Sequence, residues 1–321
     1  MLTTITHRAM ACEFVVMLPP SDAPLIDAAF AALECLDEIE AELTVYQPGS
    51  EISKINANAE NEWVPVSAST FGLIEQSQLW SQRTDGAFDI TAGPLIRSWG
   101  FLSRQGRKPN GQEIQDALQK VGHDHLKLRR DDSSVHFERP GMEINLGAIG
   151  KGYALDRLAA TLTEAGLKNF LIHGGGSSVL ARGDQDNLAE TRNGWAVGIA
   201  HPTKPNQRLA GIRLIDAALS TSGSGKQFFH HRGRRYGHVI DPRTGYPAGE
   251  LLSLTVVAES ATDAEACSTA YFLSPLANLK ADSDAGELPA KMLATIAEKR
   301  QDAVKVIALS EFDWIDPPKA D

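Results

Sequence analysis

The alternation of apolar and polar residues divides this chain into short strands and a few longer helices. Residues 12–18 read as a strand, and apolar residues at 26, 30, 33, 36, 39 and 43 mark one face of a helix over 25–43. Ser21 and Asp22 stand where helix caps are expected, and Pro24 falls in the first turn, where its missing N–H costs nothing. The pattern predicts a second helix over 68–83, stopped by Asp85-Gly86, and a third over 152–165, stopped by Gly166. Downstream, β-like runs at 169–173, 179–181, 195–200, 209–215, 236–240 and 252–258 are separated mostly by turn residues. That order suits antiparallel pairing, so the expected class is α+β, with mainly antiparallel sheets and flanking helices rather than a doubly wound parallel sheet. No linker, repeat or low-complexity tract divides the sequence, and residues 1–321 read as a single domain with surface loops at 182–194 and 281–287.

Composition narrows the function. The 321 residues are 42% hydrophobic and 22% charged, with a net charge of -10, which argues against a general nucleic-acid or membrane-surface binder. The basic run Arg232-Gly233-Arg234-Arg235 reads as a solvated turn. There is no apolar run long enough to span a membrane and no leader pattern at the start, so a soluble protein in a cytoplasmic setting is expected. Cys12, Cys35 and Cys267 are odd in number and far apart, which fits buried free thiols better than a disulfide framework or a zinc site.

Candidate chemistry gathers in the glycine-rich segments. Ser220-Thr221-Ser222-Gly223-Ser224-Gly225 is expected to be a loop whose N–H groups and hydroxyls approach a phosphate. After it, Gly237-His238-Val239-Ile240-Asp241-Pro242-Arg243-Thr244-Gly245 reads as a strand ending in a tight turn. Asp241 and Arg243 either form a polar cluster with His238 or simply pin that turn, and His238 is either a catalytic or a satisfied core histidine. Residues 223–226 are no nucleotide P-loop, because Ser220 stands where the first glycine belongs and Gln227 where a magnesium-binding hydroxyl is needed. Gly174-Gly175-Gly176 lacks the helix that a dinucleotide fingerprint requires and reads equally as a tight turn.

Three further segments carry ligand chemistry. Residues 85–101 set carboxylates beside aromatics, as walls for an isoalloxazine or adenine ring or as a helix stop with a core-packing loop. Residues 145–153 turn through glycines into a helix whose free N–H groups, with Lys151, suit a diphosphate. In the helical stretch 263–270, Glu265 and Thr269 share a face. A carboxylate and a hydroxyl so placed suit a hard divalent cation, although the pair is commonplace on solvated helices.

In order, the blocks Met10-Ala11-Cys12, 43–46 with 50–56, 86–91, 146–153, 238–245 and Ser268-Thr269-Ala270 resemble those of the ApbE-type flavin transferases, the FAD:protein FMN transferases. The resemblance implies an ApbE-type, T-fold-like core and a magnesium-dependent enzyme. Such an enzyme splits the diphosphate of FAD, transfers FMN to a threonine or serine hydroxyl of an acceptor protein, and releases AMP. Mapped by motif, Met10, Tyr46, Ala87, Phe88, Asp89, Asn145, Lys151 and Ile240 fall in the FAD-contacting set. Mg2+ would be held by the Ala148 carbonyl, Glu265 and Thr269, with Ser268 adjacent, and His238 or Asp241 would polarise the acceptor or a phosphoryl oxygen. Three positions depart from the family pattern. Glu265 stands where Asp is usual and, one methylene longer, can still reach a cation; Asn145 also stands where Asp is usual and, lacking charge, lowers the negative potential available to it; and no acidic residue follows the glycines at 174–176. Two other activities fit the same residues: hydrolysis of FAD to FMN and AMP, and flavin carriage without a metal.

Overall fold

Eight strands build the main sheet, in the spatial order Thr3–Ala9, Cys12–Leu18, Phe170–Gly174, Ser178–Arg182, Ala218–Gly223, Leu251–Ala258, Lys291–Ala297 and Val304–Ala308. Every neighbouring pair is antiparallel. The structure is a computed structural model that describes residues 1–103, 105–185, 193–204, 206–225, 228–297 and 304–318.

Strand period decides what each face covers. Phe14, Val16, Ile172, Leu180, Leu254, Val256, Met292 and Ala294 turn to one side, where they pack with Leu155, Leu158 and Leu162 of the helix Gly150–Glu164. The helix Ala261–Phe272 lies beside that helix, over the strands Ala218–Gly223 and Leu251–Ala258. Leu171, Ala181, Leu219 and Leu293 turn to the other side. There a small antiparallel sheet, Trp195–Ala200, Arg208–Leu214 and Trp314–Asp316, covers them with Trp195, Ile212 and Leu214. The α+β class and antiparallel pairing expected from the turn-separated runs are therefore observed.

The helix Ala68–Arg83 has the expected bounds. Its start is capped by the Ser67 hydroxyl, and its end is closed by Gly86, whose N–H donates to the Ser81 carbonyl at 2.9 Å with φ 71°. Other expectations need correction. The helix expected over 25–43 is two helices, Ile26–Ala32 and Cys35–Leu43, joined by tight i→i+3 bonds at Leu33 and Glu34. That joint turns the face, so Leu33, Leu36, Ile39 and Leu43 are buried while Phe30 is exposed. Asp22 caps no helix: its carboxylate instead accepts from Lys168 N, Asn169 N and Asn169 Nδ2 across the fold.

Residues 218–223 are an interior strand rather than a phosphate loop, because small serines let the helix Ala261–Phe272 sit directly on the sheet. His238 does not lie in a strand; the strand ends at Gly237, and Ile240 makes only an isolated bridge to Pro247. Residues 281–285 belong to the helix Leu276–Ala285, which Leu276 and Leu279 anchor and Gly286 ends at φ 71°. The glycines at 174–176 do form a turn, between Phe170–Gly174 and Ser178–Arg182. Lys226, Gln227 and residues 186–192 of the expected surface loop lie outside the described residues.

Candidate functional site

The site begins at a pair of helix N-termini that cap each other. Asp156, on the helix Gly150–Glu164, accepts from Ala261 N at 2.9 Å, Thr262 N at 2.8 Å and Thr262 Oγ1 at 2.5 Å. In return Glu265, on the helix Ala261–Phe272, accepts from Gly152 N at 2.5 Å and pairs with the Lys151 ammonium. Each carboxylate satisfies orphan donors at the other helix's positive end. The approach is close enough that a Cβ on Gly152 would sit 2.2 Å from the Ala261 carbonyl oxygen, so only glycine fits.

Hydroxyls continue the polar surface from Glu265. Ser268 Oγ donates to the Glu265 carbonyl at 3.1 Å and lies 2.9 Å from Ser222 Oγ, which is 3.3 Å from Thr269 Oγ1. Ser220 Oγ, 3.3 Å from Ser268, extends the row into the sheet. Ala148 lies in the turn leading into the helix Gly150–Glu164, half-buried. The side-chain donors that meet here are all oxygen: the Glu265 carboxylate and the hydroxyls of Ser222, Ser268 and Thr269. That chemistry fits a hard divalent cation, although no cluster of three His, Cys, Asp or Glu side chains occurs among the described residues.

Met10 reaches the same helix start. Its Cε lies 3.3 Å from where a Gly150 Cβ would stand, and its N–H is held by Glu40 at 2.8 Å. Met10 and Ala11 form the two-residue turn between Thr3–Ala9 and Cys12–Leu18 with φ 52° and 57°, a left-handed geometry usually given to Asn-Gly.

The segments 86–92 and 143–147 run together. Asn145 N donates to the Ile90 carbonyl at 2.8 Å, Ala92 bridges Glu143, and the Asn145 side chain accepts from Gly147 N at 2.9 Å. Asn56 locks the 50–56 block to the same segment through both hydrogen bonds of Ile144. Asp89 is turned inward: its carboxylate, 3% exposed, accepts from Thr91 N, Thr91 Oγ1 and His123 N. The hydrogen bond with Asp89 raises the pKa of the His123 imidazole above its ordinary value, against the opposing effect of burial. Ala87 and Phe88 are buried in the main core.

The Asp-Pro-Arg-Thr-Gly turn closes the other flank. Arg243 grips Asp241 with its backbone N–H, Nε and Nη2, each at 2.9 Å, which raises the guanidinium's pKa further. The stem of Arg243 passes 3.8 Å from a Cβ position on Gly86. Trp99, fully buried, donates to the Gly245 carbonyl at 2.8 Å, and Ile240 packs in the small core around Trp99 and Tyr236. The His238 ring meets Phe101 edge-on at 6.4 Å, and Tyr46, largely exposed, donates to the Leu102 carbonyl at 3.3 Å.

Lys151, Glu265, Ser268, Thr269 and Met10 thus gather at the start of the helix Gly150–Glu164, and Asn145 and Asp89 follow through 90–145 pairing. Tyr46, His238 and Asp241 stand on the flank formed by 99–102 and 238–245, whereas Ala87, Phe88 and Ile240 are buried and present no open side chain. Two participants, Asp156 and His123, carry no signal in the sequence beyond an acid five residues after Lys151 and the run His-Asp-His at 123–125. Ser222, expected among the hydroxyls of a phosphate loop, lies instead in a strand beside Ser268 and Thr269.

Comparison with known proteins gives one consistent result. The ApbE family profile matches residues 1–285. A protein of Treponema pallidum named FAD:protein FMN transferase is 32% identical over 257 residues, covering 76% of this chain and 71% of its own. One of the same name from Escherichia coli K12 is 32% identical over 240 residues, covering 73% of this chain and 67% of its own. Among solved structures, the ApbE protein of Thermotoga maritima superposes with a TM-score of 0.84 at 29% identity, over 95% of this chain and 96% of that one. The apo flavinyl transferase ApbE of Pseudomonas stutzeri shares the fold with a TM-score of 0.80 at 23% identity, over 96% of this chain and 94% of that one. The segments that converge here span the region the family profile covers, and the chain belongs to the ApbE family.

Proposed function

We propose that this chain transfers FMN from FAD to a threonine or serine hydroxyl of an acceptor protein, with magnesium, and releases AMP. The observation that carries the reading is the meeting of Glu265, Ser268 and Lys151 at one helix start, with Met10 beside them. The names of the relatives supply the reaction. Residues 1–321 act in this reading as one domain, because strands from both chain halves share the main sheet.

Glu265, Thr269, Ser268 and the Ala148 carbonyl would hold the cation. When bound, magnesium neutralises charge that builds on the diphosphate during in-line displacement. The N-terminal N–H groups of the helix Gly150–Glu164 and the Lys151 ammonium attract the diphosphate. Tyr46 offers an exposed ring to a flat heterocycle, and Met10, Asn145 and the backbone of 87–89 and 240 would line the flavin dinucleotide's approach. His238 takes the proton of the acceptor hydroxyl as its oxygen bonds to the FMN phosphorus and the bond to AMP breaks. Asp241, held by Arg243, keeps the turn beside His238 in place.

The test is incubation of the purified protein with FAD, Mg2+ and a set of threonine- and serine-bearing peptides. Flavin fluorescence on a peptide and an equal amount of AMP are expected. Free FMN without labelled peptide would assign hydrolysis, and unchanged FAD would overturn both. Thr269→Ala should lower turnover by far more than it lowers FAD affinity.

A further inference from the structure

The Glu265 carboxylate is only 5% exposed, and a buried carboxylate with no compensating charge is strongly destabilising. Two groups compensate it: the N–H of Gly152, backed by the positive end of a helix, and the ammonium of Lys151. Lys151 is one-quarter exposed, so its charge sits at the mouth of the site with Glu265 behind it. Glu265 is also the carboxylate of the cation set in the proposed function, on which this inference rests. A dication at Glu265 and an ammonium on the same carboxylate repel each other at short range, in surroundings that screen poorly.

We propose that Lys151 is an internal stand-in for the cation: in the flavin-free protein its ammonium occupies the electrostatic place of the dication on Glu265. The pair opens when the diphosphate of the substrate draws Lys151 toward itself and frees Glu265 for the metal. Metal and dinucleotide then bind as a coupled pair, each weakly without the other. Such coupling is reciprocal by linkage. Glu265 suits this role because its carboxylate reaches both the helix start and Lys151.

The experiment measures Mg2+ binding to flavin-free protein by calorimetry and by the Mg2+-induced rise in Tm, so its outcome does not depend on flavin transfer. Wild type should bind Mg2+ weakly and its Tm should barely move. Lys151→Gln should lower the Tm in chelator, and Mg2+ should restore it, with affinity raised about tenfold, a coupling of ordinary size. Lys151→Arg keeps the charge and should resemble wild type. A Lys151→Gln protein no more responsive to Mg2+ than wild type would overturn the proposal. Should Lys151→Gln not fold, wild type decides: tight Mg2+ binding without flavin would overturn it equally, and weak binding that FAD strengthens would support it. Failure of FMN transfer with the Mg2+ result intact would overturn the proposed function alone.

Discussion

At the scale of single residues, the polar positions around the site are nearly all committed to one another. Asp89 holds Thr91 and His123, Asp241 holds Arg243, Asp156 holds Ala261 and Thr262, and Glu265 holds Gly152 and Lys151. The Asp241–Arg243 pair, two residues apart, is legible in the sequence as a pinned turn, whereas the partners of Asp156 and Glu265 and the contact of Asp89 with His123 are not, because those pairs join segments far apart in the chain. Backbone strain was equally hidden. Met10 and Ala11 sit left-handed in a turn where neither side chain is favoured, at a cost of about 1–2 kcal/mol for each L-residue. Strain of this kind persists where the surroundings hold it, and here it aims Met10 at the start of the helix Gly150–Glu164. Ala11→Gly relieves one such residue and adds about 0.5–1 kcal/mol of unfolded-chain entropy, which leaves a small net gain. The expected result is a Tm raised by about 1–3 °C in thermal unfolding, and a lowered Tm would show that the turn is not strained.

At the scale of elements, legibility followed local punctuation. The end of the helix Ala68–Arg83 could be placed because Asp85-Gly86 stops it within the same stretch of sequence. The strand Ala218–Gly223 could not, since its serines are small for the sake of a helix packed on them from elsewhere in the chain. The break at Leu33–Glu34 was invisible for the opposite reason: the apolar spacing continues across it while the backbone tightens. The helix pair that frames the site was predicted as two separate helices, and their reciprocal capping emerged only in three dimensions. Asp156→Ala would leave three donors at the start of Ala261–Phe272 without their acceptor. Ser260 still caps that helix from within, so the expected loss is about 2–3 kcal/mol rather than unfolding. Urea unfolding checks the value, and a loss under about 0.5 kcal/mol would mean that Asp156 does not tie the two helices together.

At the scale of the whole molecule, the order of the motif blocks was readable from the sequence, and the architecture that folds them onto one another was only partly so. The α+β class followed from turn-separated runs, whereas the strand order did not, because the main sheet places Cys12–Leu18 beside Phe170–Gly174 and leaves Lys291–Ala297 as its seventh strand. That seventh strand lies beyond residue 285, where the family profile ends, yet Met292, Leu293 and Ala294 are fully buried and pack on both faces of the sheet. Leu254 and Val256, on the neighbouring strand that lies under the helix carrying Glu265, pair with Ala294 and Met292. Removing residues 286–321 would therefore open a sheet edge next to the site and strip core from both faces. The full chain is expected to unfold in a single calorimetric transition, and the shortened chain to lose that transition and aggregate. A shortened chain with an unchanged Tm would mean that the terminal strands are an appendage and that residues 1–285 hold the site unaided.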